Sequence, residues 1–233
     1  MGYNLTQFTS SNGIHKYMTN REPTAQLPWQ SHLARWILRL LGWKLELNLP
    51  ESPRYVLIGA PHTSNKDGVL AVLLKYAADI PMHFIGKETL FRPPFGFILR
   101  WLGGIPVNRS STNNFVDQMV EIFDHQPRLV LAIAPEGTRS KVTYWRTGFY
   151  FMALGAKVPI AFGYIDQARR ILGIAPGLIP TGDLSVDMEP IRQFYAQHVQ
   201  LYRTGHRQIQ LKEQAESASR PEEILPVVVE TVI

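Results

Sequence analysis

The chain has no cysteine among its 233 residues. Disulfide bonds, thiolate metal ligands and cysteine nucleophiles are therefore excluded, and a reducing cytoplasm is compatible with this composition. Charged residues are also scarce, at 18% of the chain against 45% hydrophobic residues. Because a soluble surface usually carries more charge, we expect part of this surface to face something other than water.

Long apolar runs and an export signal are missing as well. The first 30 residues lack the basic start, apolar core and small-residue cleavage site of a secretory signal, which predicts no export. Apolar stretches such as Trp36 to Trp43 are interrupted by charge well short of the ~20 residues that a spanning helix requires. If the protein meets a membrane, it should therefore lie on the membrane and not cross it, and our prediction for its place is the cytoplasmic face, as a peripheral, monotopic protein. The net charge of +5 predicts an anionic partner, and composition does not choose among nucleic acid, an acidic membrane and a phosphorylated substrate.

Composition divides the chain into four parts. Residues 1–30 are polar and turn-rich and are predicted to be an N-terminal arm. Residues 31–48 hold an amphipathic helix, predicted over Ser31 to Leu45, for the membrane interface. Residues 50–212 form the main domain, and 213–233 are a tail without an assigned structure. The helix places Leu33, Trp36, Ile37, Leu40 and Leu41 on one face, and His32, Arg35 and Arg39 on another.

The main domain alternates short apolar runs with helix-like stretches, a pattern typical of α/β proteins. It predicts a single domain with a central mixed sheet flanked by helices. The predicted strands are Tyr55 to Gly59, Phe84 to Gly86, Ile105 to Val107, Leu129 to Ala134 and Pro159 to Tyr164. The predicted helices are Asp67 to Ala78, Pro93 to Trp101, Thr112 to His125 and Thr147 to Gly155. Gly173 to Gly182 is predicted to be loop, followed by a helix from Asp187 to Thr204.

His62 and Asp67 lie between a predicted strand and a predicted helix. Across such a turn, an aspartate in the first helical turn can reach back to the imidazole and hold one ring nitrogen protonated. The other nitrogen is then free to accept a proton from a hydroxyl, which makes a general base. The non-catalytic alternative is a helix-capping aspartate beside an ordinary loop histidine. Considered in isolation, the two residues favour that alternative.

Three further stretches carry groups that could bind an anionic substrate. The loop from Glu136 to Ser140 follows a buried strand, where ligands bind in such sheets. Gly137 permits close approach and Arg139 offers a bidentate fork, although a solvated turn with an internal ion pair is an equal alternative. Arg109 ends the short strand after Gly104, and Lys87 opens a stretch rich in aromatics and prolines. A surface arginine and a plain loop are the simpler interpretations of these two.

Together and in this order, these stretches resemble the glycerolipid acyltransferase family. His62 and Asp67 match its histidine, four residues, aspartate motif, and Gly104 to Arg109 its second motif. Glu136 to Ser140 matches its third motif without change, and Val158 to Ile160 its fourth. The resemblance covers about Tyr55 to Phe162 and includes Lys87 to Gly96. It departs at Ala161 to Gly163 and at Tyr144 to Gly148, which bear on the acceptor.

The resemblance implies an acyltransferase that moves a fatty acyl group from acyl-CoA or acyl carrier protein onto a glycerolipid hydroxyl. It implies His62 as the base and Asp67 as its orienting group. Residues implied in binding a phosphate-bearing lysolipid acceptor are Lys87, Arg109, Glu136, Gly137, Thr138 and Arg139. No metal or organic cofactor is implied, and the expected partners are a membrane surface with anionic lipids, the acceptor and the donor.

Other functions remain open from the residues alone. A lipid hydrolase would use His62 to activate water and would release free fatty acid. A different lysolipid or an alcohol could be the acceptor, and a lipid-binding module of the same fold would have no turnover. The Gly-x-Ser-x-Gly elbow of serine hydrolases is absent. Nucleic-acid binding is disfavoured, because the basic residues are dispersed and no nucleic-acid motif is present.

Overall fold

A computed structural model of the chain describes residues 27–94, 96–107, 115–137, 144–204 and 209–211. Its centre is a seven-stranded mixed sheet in the order β1-β7-β6-β2-β5-β3-β4. The strands are β1 (Lys44–Leu47), β2 (Arg54–Ala60), β3 (Met82–Lys87), β4 (Gly104–Val107), β5 (Leu129–Ile133), β6 (Ile160–Asp166) and β7 (Ile171–Leu178). The predicted α/β class and mixed sheet are confirmed.

Helices connect the strands. They are α1 (Trp29–Leu40), α2 (Asn65–Ala78), α3 (Gly96–Trp101), α4 (Phe115–His125), α5 (Gly148–Gly155), α6 (Leu184–His198) and α7 (Gln200–Arg203). The five strands predicted from the sequence all occur, with ends shifted by up to two residues. Of the predicted helix Thr112 to His125, the first three residues lie outside the described part of the chain.

Strand β2 occupies the middle of the sheet and lies between β5 and β6, parallel to both. Because side chains alternate along a strand, Tyr55 and Leu57 point to one side of the sheet, where α1 and α2 cover them. Val56 and Ile58 point to the other side, where they join the cluster formed by α4, α5, α6 and α7. Both faces of β2 are thus buried, as in other parallel sheets.

The predicted helix from Ser31 to Leu45 is too long, and this prediction is corrected. Helix α1 ends at Leu40, and the turn that follows places Gly42 at φ +77°. The amide of Gly42 donates to Arg39 O at 2.9 Å, and that of Trp43 to Leu38 O at 2.8 Å. These two bonds are the Schellman pattern that ends helices. The predicted segment 31–48 therefore holds both a helix and strand β1, which pairs in parallel with β7.

The segment Gly173 to Gly182 was predicted to be loop, and this prediction is wrong for its first half. Residues Ile171–Leu178 form β7, antiparallel to β6. Gly173 lies beneath the ring of Tyr164, where an added Cβ would come within 2.3 Å of the ring. The glycine is needed for this close packing, so it marks a strand crossed by an aromatic ring and not a loop.

The amino end of α6 is fixed by a buried aspartate. Asp187 accepts hydrogen bonds from Thr181 N at 2.7 Å, Thr181 Oγ1 at 3.0 Å and Tyr150 Oη at 2.8 Å. Burial alone would raise the pKa of Asp187, but these hydrogen bonds outweigh it and hold the pKa below its ordinary 3.8. Its contribution to stability is therefore fully present above pH 3.8 and is lost as the pH falls through the lower folded-state pKa.

We expect Asp187→Asn to lower the free energy of unfolding by about 2 kcal/mol at neutral pH, since hydrogen bonds to a buried charge are weakened. Denaturant unfolding at pH 7 and in strong acid measures the change. The difference from the unmodified chain should shrink in acid, because the aspartate then loses its charge as well. A difference of the same size at both pH values would contradict this account.

Within the described ranges, no helix reaches the combination of length and apolar character that crossing a bilayer requires.

Candidate active site

The carboxyl ends of three adjacent parallel strands meet at one edge of the sheet. His62 follows β2, Glu136 follows β5 and Gln167 follows β6. Their backbones come together because β5 and β6 flank β2 in parallel. Ligands bind at this edge in open α/β sheets, and the loops here bring three polar side chains into one cluster.

His62 faces Asp67 across the turn between β2 and α2. The Nδ1 atom of His62 lies 3.8 Å from Asp67 Oδ2, and the side chains are 31% and 3% exposed. That separation is longer than a hydrogen bond, which is common for catalytic pairs without bound substrate. With Nδ1 directed at the carboxylate, the Nε2 atom is the nitrogen left for a substrate. The five-residue spacing therefore brings the predicted pair together.

Asp67 is held in place by the start of its own helix. Its Oδ2 atom accepts the backbone N–H of Thr63 at 2.5 Å and that of Ser64 at 2.7 Å. Asp67 is the third residue of α2 and Ser64 is its N-cap, so the aspartate acts as the acidic member of a capping box. The capping interpretation and the catalytic one are thus compatible, because the bonds that fix the helix start also fix the carboxylate beside the imidazole.

Gln167 contributes a contact that the sequence did not predict. Its Nε2 atom lies 3.3 Å from Asp67 Oδ1 and 3.3 Å from Thr63 Oγ1. The turn that carries it is shaped by Asp166, which accepts the amides of Ala168 at 3.0 Å and Arg169 at 3.1 Å. The sequence could have indicated Gln167 as a site residue, because it directly follows a strand. The prediction ended that strand at Tyr164, however. Its real end at Asp166 makes Gln167 a neighbour of the site.

Glu136 is buried beneath the site at 2% exposure. Its Oε2 atom accepts the backbone N–H of His62 at 3.0 Å, and its Oε1 atom accepts the hydroxyl of Tyr202 at 2.7 Å. Burial, together with the nearby charge of Glu136, raises the pKa of Tyr195 well above its ordinary value. The carboxylate thus links the loop after β5 to the histidine loop and to α7. No local pattern identified Tyr202, which is 66 residues away in sequence.

Gly137 has φ +65°, a conformation that favours glycine. The side chain of Arg146 lies against it, since a Cβ built on Gly137 would come 2.7 Å from the arginine Nε. The amide of Arg146 donates to Pro135 O at 2.8 Å, which fixes this arginine beside the same loop. In the sequence, Arg146 lies within Tyr144 to Gly148, a segment that departs from the family pattern and was not predicted to be part of the site.

The remaining predicted site residues divide into one that is described and three that are not. Lys87 is the last residue of β3 and is exposed at the same edge of the sheet, beyond β5. Arg109, Thr138 and Arg139 lie outside the described residues. Their predicted roles in acceptor binding stay predictions, as do those of Lys87, Glu136 and Gly137.

The arrangement is suited to taking a proton from a hydroxyl. A partly exposed imidazole is accessible to a substrate, and the buried carboxylate beside it can stabilise the imidazolium that forms. The carboxylate is itself fixed by backbone amides, so its position is set before any substrate binds.

Comparison with known proteins gives matches of three kinds. The family model named Acyltransferase matches residues 44–162, a little over half of the chain. A 1-acyl-sn-glycerol-3-phosphate acyltransferase of Haemophilus influenzae is 30% identical over 142 residues, which cover 55% of this chain and 57% of that protein. The crystal structure of the 1-acyl-sn-glycerophosphate (LPA) acyltransferase PlsC from Thermotoga maritima aligns with 83% of this chain and 81% of that one, with a TM-score of 0.49 and 17% identity.

This chain thus spans just under three fifths of the curated relative's length. The segment matched by the family model holds every stretch on which the resemblance was based, from His62 to Ile160. The resemblance inferred from the sequence is therefore confirmed, and the chain belongs to the acyltransferase family.

Proposed function

We propose that this protein transfers an acyl group from a thioester donor, acyl-CoA or acyl carrier protein, to the hydroxyl of a lysophosphatidate-type acceptor. The observation that carries the proposal is the half-exposed His62 facing the buried Asp67 at the carboxyl end of the central strand. Family membership supports acyl transfer, and the name of the Haemophilus relative supports a 1-acylglycerol 3-phosphate as the acceptor.

The reaction follows from the placement of the pair. The Nε2 atom of His62 takes the proton of the acceptor hydroxyl as its oxygen attacks the thioester carbonyl. Asp67 stabilises the imidazolium that results. The carbon–sulfur bond then breaks, the new ester forms, and the thiolate leaves with the proton that the imidazolium returns. Atoms and charge balance with the two substrates alone, and no covalent acyl-enzyme is needed.

The direct test offers the purified protein each long-chain acyl donor in turn, acyl-CoA and acyl carrier protein thioester, with a panel of acceptors. The panel contains lysophosphatidate, other lysophospholipids and monoacylglycerol of the same chain length. We expect diacyl product and free thiol in equal amounts, with lysophosphatidate preferred. Release of free fatty acid without acceptor consumption would identify a hydrolase, and the absence of turnover with every donor and acceptor would overturn the proposal.

The proposed site of membrane contact is the outer face of α1, supported by its two apolar sides. Ser31, Ala34 and Leu38 are buried, and the Arg35 Nε donates to Ala77 O of α2 at 2.9 Å. At about 100° per residue, the opposite side of the helix carries a second apolar stripe. Its members are all exposed: Trp29 (69%), Leu33 (44%), Trp36 (57%) and Leu40 (72%).

The first apolar side explains the folding of α1, but the second has no packing role within the described protein. Exposed tryptophans beside basic residues are typical of helices that lie in a membrane interface. Arg39 and His32 are exposed on the same helix and can meet anionic headgroups. Helix α3 also has exposed apolar side chains, Phe97 (70%) and Trp101 (73%). A lipid substrate would therefore be met at the surface on which it resides.

We expect the double variant Trp36→Ser, Leu40→Ser to bind vesicles of phosphatidylglycerol and phosphatidylcholine about 30-fold more weakly, since about 2 kcal/mol of apolar burial is lost. Sedimentation with the vesicles measures the change. The matched control is Phe151→Ser, Val186→Ser, which alters exposed apolar residues of α5 and α6 on the other side of the sheet. Equal loss in both variants, or none in the first, would remove α1 as the membrane contact.

A further inference from the structure

We infer that Arg146 binds the phosphate of the acceptor and so sets the preference for a phosphorylated lysolipid. This inference rests on the proposed acyl transfer and assigns a substrate-binding role to a residue outside the stretches on which the family resemblance was based. It begins from the loop after β5, where Gly137 and Arg146 lie against each other.

The backbone of Trp145 and Arg146 is fixed by hydrogen bonds, so the side chain of Arg146 starts from a defined position. Trp145 is buried at 1% exposure and packs edge-on against Tyr195 and Tyr202, with ring centroids 5.4 and 6.2 Å apart. Its amide donates to Gln210 O at 2.8 Å, and the amide of Arg146 donates to Pro135 O at 2.8 Å. The buried indole thus fixes the position of the neighbouring arginine beside the loop after β5.

In its observed position, the side chain of Arg146 occupies the space that a Cβ at residue 137 would need. A Cβ at that position would come 2.7 Å from the Nε atom and 2.9 Å from the Cδ atom of Arg146. The stem of the side chain therefore crosses the backbone of Gly137, while the residue as a whole remains exposed. The positive φ of Gly137 and its lack of a side chain together leave room for the stem of Arg146.

The charge of Arg146 is available for a ligand. Among the described residues, Arg146 takes part in no ion pair. The nearby carboxylate of Glu136 is buried below the loop, where its two oxygens accept from His62 N and Tyr202 Oη. An exposed guanidinium is a planar fork of donors that suits a phosphate monoester, which carries close to two negative charges at neutral pH.

The position suits the phosphate of the acceptor and not that of the donor. Gly137 adjoins Glu136, whose Oε2 atom lies 3.0 Å from the backbone nitrogen of His62. In a lysophosphatidate, only two carbons and an ester oxygen separate the attacking hydroxyl oxygen from phosphorus. The phosphates of coenzyme A lie at the far end of its pantetheine arm, away from the thioester. A phosphate so near the attacking oxygen stays beside the His62 loop, to which Glu136 links the Gly137 and Arg146 pair, so we assign Arg146 to the acceptor's phosphate.

The test compares Arg146→Gln with Arg146→Lys in steady-state transfer to lysophosphatidate and to monoacylglycerol of the same chain length. We expect Arg146→Gln to raise the KM for lysophosphatidate about tenfold, with kcat and the acyl-CoA KM unchanged. Transfer to monoacylglycerol should not change, and Arg146→Lys should restore part of the affinity. The control is Arg128→Gln, since Arg128 precedes β5 at the opposite edge of the sheet and should leave every constant unchanged.

Each other outcome overturns the assignment. An unchanged KM for lysophosphatidate, or an equal rise in the KM for monoacylglycerol, would show that Arg146 does not bind the phosphate. A rise in the KM for acyl-CoA that disappears with dephospho-CoA thioesters would place Arg146 on the donor. Failure of the proposed function would look different, because the unmodified protein would then transfer acyl groups to neither acceptor.

Discussion

Replacing His62 with alanine should lower turnover by about 100- to 10,000-fold, the usual contribution of positioned general-base catalysis. The thioester is already activated, so the main chemical requirement is a stronger oxygen nucleophile. Since the imidazole is half exposed and its backbone is held by Glu136, the fold and the binding of acyl-CoA should survive. Rapid-quench or steady-state assays measure kcat. Circular dichroism tests the fold, and titration with acyl-CoA tests donor binding.

Asp67→Asn should act in the same direction, because an amide cannot stabilise the imidazolium and can favour the wrong tautomer. The double variant should be little worse than His62→Ala alone, since the two groups work as one unit. His125→Ala serves as the control, because His125 ends α4 on the way into β5 and lies at the opposite edge of the sheet. Full activity in folded His62→Ala, or additive losses in the double variant, would remove this mechanism.

The second large effect should come from Glu136. We expect Glu136→Ala to lower kcat by about 100-fold, because a displacement of about 1 Å in a catalytic group has that cost. The substitution leaves the backbone N–H of His62 and the hydroxyl of Tyr202 without their shared acceptor. Tyr202→Phe removes only one donor and should cost about tenfold or less. Steady-state kinetics should place both losses in kcat, with the acceptor KM little changed.

Asp187 and Tyr150 form a matched control, since they are also a buried carboxylate and tyrosine joined by a hydrogen bond. Asp187→Asn and Tyr150→Phe should lower stability but not the kcat of the folded enzyme. If Glu136 instead binds the acceptor, as the family motif implies, Glu136→Ala would chiefly raise the acceptor KM. If Glu136 only stabilises the fold, its variants would match those of Asp187 and leave kcat unchanged.

Local sequence patterns predict most strands of the fold, and the strands that were missed have physical causes. Strands such as β2 and β5 are continuous apolar runs because both of their faces are buried. Strand β7 was missed because its glycines make room for neighbouring groups, Gly173 for the ring of Tyr164 and Gly177 for the backbone of Ile160. Strand β1 was missed because an exposed edge strand has a weak pattern, although Gly42 marked the end of α1.

The site divides in the same way. The pairing of His62 with Asp67 was predictable, because a turn between strand and helix brings residues of this spacing together. The links from Tyr202 to Glu136 and from Gln167 to Asp67 join residues 66 and 100 positions apart. Such contacts depend on how α7 and β6 pack, and no local sequence feature encodes them. The position of Arg146 likewise depends on the buried indole beside it.

The order of the strands in the sheet has a consequence for synthesis on the ribosome. Lys44 of β1 pairs with Ile171 of β7, so about 127 further residues must be made before the edge of the sheet can close. At the usual pace of translation this takes roughly 6 to 25 s. The central strand β2 also waits, since its neighbours β5 and β6 begin at Leu129 and Ile160. Throughout this interval the nascent chain exposes the apolar residues of β1 and β2 that the sheet later buries, which makes early contact with a chaperone or a lipid surface advantageous.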